Sequence, residues 1–164
     1  MGVAPDAQVN VKLDQPELNF TGHAYHDANW GNAPLETAFD SWTWSRAALD
    51  EGTLVMYDLQ ERSHAQSAER ASLFKKDGTI VSLNEFERST LRSGVWGVHR
   101  STRADLADSC KLKFNLVDSP FYTRDVIEAQ LLGRKTLAVH ESLNLNRFKK
   151  PWVRFLIPFR IRRL

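Results

Sequence analysis

The chain holds a single cysteine, Cys110, so no intrachain disulfide can form and stability owes nothing to an oxidising compartment. Long apolar runs are also missing. No window approaches the roughly 18 apolar residues of a membrane span, and residues 1–14 show no basic leader followed by an apolar stretch. The expectation is a cytoplasmic protein, soluble or peripheral to a membrane. His23, His64 and His99 share no ligand spacing with one another or with Cys110, which excludes a recognisable zinc motif. A Gly-rich phosphate loop and a serine nucleophile elbow are lacking too. With no repeat, linker or low-complexity tract, the 164 residues are expected to form one domain with its own core.

Charge is nearly balanced at +2, but its distribution is not. Arg147, Lys149, Lys150, Arg154, Arg160, Arg162 and Arg163 crowd the end of the chain without an acid among them, and the remainder is acidic on balance. In residues 147–164 these bases alternate with Trp152, Phe155, Ile157 and Phe159. That composition suits peripheral contact with an anionic bilayer. It equally suits a closing segment with solvated arginines. A wider basic face of the kind that binds nucleic acid is absent, so no nucleic-acid partner is expected.

Short apolar–polar alternations dominate, as in Val9-Asn10-Val11-Lys12-Leu13 and Lys111-Leu112-Lys113-Phe114-Asn115-Leu116-Val117. Period two with β-branched and aromatic residues predicts strands with one wet face. Further strands are expected at Asn19–His26, Ser41–Ala48, Thr53–Gln60, Ser67–Lys75, Gly94–Ser101, Val126–Leu132 and Thr136–Leu143. Turn chemistry separates several of them, at Asp50-Glu51-Gly52, Lys76-Asp77-Gly78 and Leu132-Gly133-Arg134. The pattern predicts an all-β, antiparallel barrel or sandwich, the barrel favoured, with one or two short helices. One helix is expected around Leu83–Leu91 and another after Leu145, capped by Asn146.

The segment His26-Asp27-Ala28-Asn29-Trp30-Gly31, with Pro34-Leu35-Glu36, is followed by Trp42-Thr43-Trp44-Ser45-Arg46 and Tyr57-Asp58. Later come Asp118-Ser119-Pro120-Phe121-Tyr122-Thr123-Arg124, His140-Glu141-Ser142-Leu143-Asn144-Leu145 and the ending from Phe148 to Arg160. In this order they resemble the carotenoid 1,2-hydratase (hydroxyneurosporene synthase) family. The likeness is to the C-terminal, lipocalin-like part of a longer two-domain family, so the expectation is either a piece separated from an N-terminal domain or a naturally short relative. The implied reaction adds water to the terminal double bond of an acyclic carotenoid such as neurosporene or lycopene, giving a tertiary alcohol. The resemblance implies no organic cofactor and no metal.

An isolated alkene is a very weak base, so the step needs a strong, well-placed acid and a stabilised tertiary cation. A carboxylic acid in apolar surroundings is a natural donor. Asp58, after Met56 and Tyr57 on an apolar strand, is the first candidate; the alternative is an exposed carboxylate at a strand end. Asp27 is the second, able to orient a water, a histidine or the donor, although Asp27, Asn29 and Gly31 are also ordinary turn residues. Trp30, Trp42, Trp44 and Tyr57 offer ring faces to a cation, or simply fill the barrel. Phe121 and Tyr122 join them as candidate substrate-binding residues. Tyr57 and Asp58 should face opposite sides of their strand unless a bulge intervenes.

One departure from the family pattern stands at Ala28, where a histidine is often expected. His26 is the candidate substitute for its imidazole. His140 and Glu141 should likewise face opposite ways, which disfavours joint action. The alternative to an enzyme is a non-catalytic lipocalin-like module that binds an apolar lipid or polyene.

Overall fold

The computed structural model describes residues 2–63 and 67–159; His64 and the final arginines Arg160, Arg162 and Arg163 lie outside the described residues. Strands β1 (Gly2–Asp14) and β2 (Glu17–Asp27) form a long hairpin that, among the described residues, pairs with no other strand. A four-residue helix α1 (Leu35–Ala38) leads into β3 (Phe39–Leu49), which turns back as β4 (Gly52–Glu61). After β5 (Ser67–Lys75) and β6 (Ile80–Leu83) comes a second hairpin, β7 (Glu87–Leu91) with β8 (Arg100–Ala104). The chain then runs through β9 (Lys111–Asp118), β10 (Tyr122–Leu131) and β11 (Arg134–Asn144) to the short helices α2 (Leu145–Phe148) and α3 (Pro151–Leu156). The main sheet is antiparallel and seven-stranded, in the order β6-β5-β4-β3-β11-β10-β9. Among the described residues no ladder joins β6 to β9.

Alternation sorts this sheet into two unlike faces. One carries Ala47, Leu54, Met56, Ala71, Leu73, Ile127, Ala129, Leu131 and Ala138, all buried. The β7–β8 hairpin covers it, with β8 packed on β3, β10 and β11, and adds Leu91 and Ala104, while Cys110 joins from the following loop. Tight turns hold the ladders in register. Between β10 and β11, Leu132 and Gly133 both take positive φ, a two-residue turn of the kind that matches strand twist. The Asp105 carboxylate accepts both of their amides, at 2.8 and 2.6 Å. At Gly52 a β-carbon would collide with the Phe74 carbonyl, so the β3–β4 turn has room for glycine only.

The expected strands are present except in one segment. Residues 94–97 form a turn, and regular pairing begins only at Arg100; Gly94 and Gly97 break the extended run. The helix expected at Leu83–Leu91 is not formed. Leu83 ends β6, and from Glu87 the chain is a strand in which Ser89 and Leu91 are buried while Arg88 and Thr90 are exposed. The Leu83, Phe86 spacing imitates a helical stripe, but pairing with β8 decides the period. The helix after Leu145 does form. Its cap is Asn144, whose side chain accepts the Arg147 amide at 2.9 Å, while Asn146 Oδ1 takes a bond from Arg62 at 2.6 Å.

Candidate active site

The opposite face of the main sheet is an aromatic floor laid down by register. Trp44 pairs with Tyr57 on β4 and with Glu141 on β11, and Glu141 pairs with Arg124 on β10. Cross-strand partners point the same way, so these four side chains form a row across four strands. A second row holds Trp42, Leu59, Leu143 and Tyr122. Above the floor lies β2, whose alternate residues His23, Tyr25 and Asp27 look down onto it. A cavity of about 440 Å³ remains between hairpin and floor, bounded by these three residues with Trp42, Trp44, Arg46, Arg124 and Glu141.

At its centre Asp27 Oδ2 receives two phenols. Tyr57 donates a short hydrogen bond, and Tyr25 donates a longer one at 3.3 Å. Burial is the chief cause that holds both phenols above the ordinary tyrosine range, and for Tyr57 the hydrogen bond to Asp27 adds to it. Both therefore stay protonated and remain donors. The rings pack in pairs, Tyr25 on Trp44 with centroids 5.3 Å apart and Trp42 on Tyr57 at 6.0 Å. Arg46 lies over the Tyr25 ring, 5.4 Å from its centroid. The pocket wall is charge-balanced, because Arg124 holds Glu141 Oε1 through Nε at 2.8 Å and Nη2 at 2.6 Å. Beside that pair the Tyr122 hydroxyl is pushed up to about 12, first by burial and then by the Glu141 charge.

Asp27, Tyr57, Trp42 and Trp44 are thus brought together, and other candidate residues are placed elsewhere. Asp58 points through the sheet to the far side. There it forms an ion pair with buried Arg103 at 2.7 Å, and burial raises its carboxyl above the usual range despite that cation. His26 alternates with Tyr25 and Asp27 and is exposed, so the histidine on the pocket side of β2 is His23. Trp30 is 83% exposed and outside the cavity. Phe121 packs on Phe148, centroids 5.0 Å apart, against a different groove. Tyr25, Arg46 and Arg124 were not among the sequence candidates. The period-two step from Asp27 to Tyr25 is the signal that could have found the first of them.

A second polar cluster lies buried on the core face. His140 is fully enclosed, its Nδ1 2.8 Å from Ser45 Oγ and its Nε2 3.0 Å from Ser142 Oγ, and Ser45 also meets Thr102 at 2.9 Å. Burial and the nearby Arg100 charge push the imidazole down to about 4. Arg100 reaches Asp125 at 3.0 Å and Asp118 at 3.6 Å, and Asn115 donates to Asp125 at 2.7 Å.

Over residues 1–164 the chain matches the family of the carotenoid hydratase CrtC. The chain belongs to that family. It is 38% identical over 163 residues to the acyclic carotenoid 1,2-hydratase of Thiocapsa roseopersicina, covering 99% of this chain and 40% of that protein. It is 33% identical over 160 residues to the acyclic carotenoid 1,2-hydratase of Cereibacter sphaeroides, covering 98% of this chain and 57% of that protein. A shorter match, 40% identical over 60 residues, is to the quinolone epoxide rearrangement protein asqO of Emericella nidulans, covering 35% of this chain and 16% of that protein. The chain thus spans about 40% to 57% of the length of these hydratases. No solved structure matches it significantly. Within this CrtC-family chain, Ala28 follows directly on Asp27 at the end of β2.

Proposed function

We propose that this chain forms a cofactor-independent hydration site for the terminal double bond of an acyclic carotenoid, in a lipocalin-like barrel, with Asp27 as the acid. The observation that carries the reading is one carboxyl oxygen held by two half-buried phenols above a tryptophan floor. Tyr57 and Tyr25 fix Oδ2 and so orient Oδ1 as the proton-bearing atom. The proton passes to the less substituted alkene carbon, and the tertiary cation develops over the Trp42 and Trp44 faces, a contact worth about 2 kcal/mol in a desolvated site. Water adds to the cation, and the proton it sheds returns to the Asp27 carboxylate. The protonated acid is thereby regenerated. Asp58, turned away and paired with Arg103, has no place in this sequence of steps.

The test is incubation of the purified chain with neurosporene and lycopene in liposomes, with mass spectrometry for one added water. Asp27→Asn is expected to lower turnover by about 100-fold or more with folding retained. Full activity in that variant would remove Asp27 from the mechanism. A second reading is favoured by Ala28: a module that binds the polyene without converting it. Saturable binding with no product from the unaltered chain would select it.

A further inference from the structure

On the outer side of the molecule, away from the Asp27 cavity, two segments distant in sequence present apolar side chains together. One is the turn at residues 94–97, in which Val95 is 95% exposed and Trp96 substantially so. The other is α3 and the residues after it, where Trp152, Phe155, Ile157 and Phe159 are exposed. Trp96 stacks on Trp152, centroids 6.3 Å apart and planes 28° from parallel. Between the segments runs an apolar groove of about 320 Å³, floored by Pro120, Phe121 and Val153.

The turn is built to hold that exposure. The Gly97 amide closes it on the Gly94 carbonyl at 3.0 Å, and Gly97 takes a positive φ. The Val95 amide is held by the Asp118 carboxylate at 2.7 Å, and the Arg147 guanidinium grips the carbonyls of Trp96 and Pro120. A β-carbon at Gly94 would strike Asp118 and Arg100, so the turn rests on a buried ion pair. A valine presented to solvent by this many restraints needs a destination in the assembled state.

Charge selects that destination. Lys149 and Lys150 are exposed at the start of α3, the sequence continues with Arg160, Arg162 and Arg163, and no acid occurs after Glu141. Of the bases around the patch, Arg154 is paired, with Glu36 at 2.9 Å. Tryptophan and bulky aliphatic side chains beside exposed lysines match the headgroup region of an anionic bilayer. We propose that the 94–97 turn and α3 form one membrane-docking face, with Val95, Trp96, Trp152 and Phe155 entering the interface and the lysines meeting anionic headgroups. This inference does not rest on the hydratase reading.

The experiment is co-sedimentation of the 164-residue chain with vesicles of phosphatidylcholine alone and with added phosphatidylglycerol, together with quenching of tryptophan fluorescence by bromolipids. The chain is expected to bind the anionic vesicles with quenching. Val95→Asp, at a site too exposed to disturb folding, and Phe155→Asp should each weaken binding at least about tenfold. Lys149→Glu with Lys150→Glu should abolish the preference for phosphatidylglycerol. Failure to bind anionic vesicles, or binding that Val95→Asp and Phe155→Asp leave unchanged, overturns the proposal; the first result would mean the patch awaits a protein surface. None of these readouts needs a polyene, so their failure leaves the Asp27 site untouched, and an inactive Asp27 site leaves them untouched.

Discussion

Tyr57 and Asp58 are neighbours in the chain and strangers in space. Tyr57 donates to Asp27 in the aromatic cavity, and Asp58 neutralises Arg103 on the core side. Their substitutions should therefore fail differently. Tyr57→Phe keeps the ring on Trp42 but lets the carboxyl swing; we expect hydration to fall at least about tenfold with the melting temperature nearly unchanged. Asp58→Asn strands the Arg103 charge where only 4% of its side chain meets water. It should cost about 3 kcal/mol of stability, read by urea denaturation, while the folded fraction keeps its specific activity. Equal loss of activity in both variants would contradict this division. The alternation rule already separates the two side chains in the sequence. Which of them faces the cavity depends on Arg103, forty-five positions further along, and no local pattern carries that information.

At the scale of elements, the β7–β8 hairpin explains both the clearest error of sequence reading and much of the interior. Leu83, Phe86 and Leu91 look helical in isolation, yet pairing with β8 makes residues 87–91 a strand. That pairing carries Arg100, Thr102 and Arg103 beneath the main sheet, where they meet Asp125, Ser45 and Asp58. Arg100→Met leaves Asp125 wholly buried without its cation and should destabilise the fold by about 3 to 5 kcal/mol. Adding Asp125→Asn removes the orphaned charge and should recover a large part of that loss in chemical denaturation. Strictly additive losses would mean that the two groups do not act on each other. The strands β3, β4, β5, β10 and β11 were legible because their alternation is locally complete. The turn at 94–97 was not, because its glycines sit inside an otherwise strand-like run.

Across the whole molecule, the main sheet divides two kinds of polar site: an accessible one around Asp27 and a sealed one around His140. The sealed one imposes a pH dependence. Unfolded, His140 takes up a proton near pH 6.5; folded, only near 4. Between these values the unfolded chain binds more protons, so stability is complete above 6.5 and falls as the pH drops toward 4, by about 3 kcal/mol in all. Asp125 and Asp58, whose carboxyls burial raises, work in the opposite sense. The imidazole is therefore isolated by comparison with His140→Gln, whose unfolding free energy should lack the rise between pH 4 and 6.5. Parallel curves for the two proteins would show that His140 does not titrate on unfolding.

Among the described residues the β1–β2 hairpin has no ladder to any other strand. A two-stranded ribbon is marginal by itself. Its order near Asp27 comes from the rings it rests on, Tyr25 upon Trp44 above all. The tryptophan shelf is thus also the seat of the acid. Cutting Trp44 back to alanine would take away a wall of the cavity and unseat the carboxyl in the same stroke, so the two losses cannot be separated by truncation at that position.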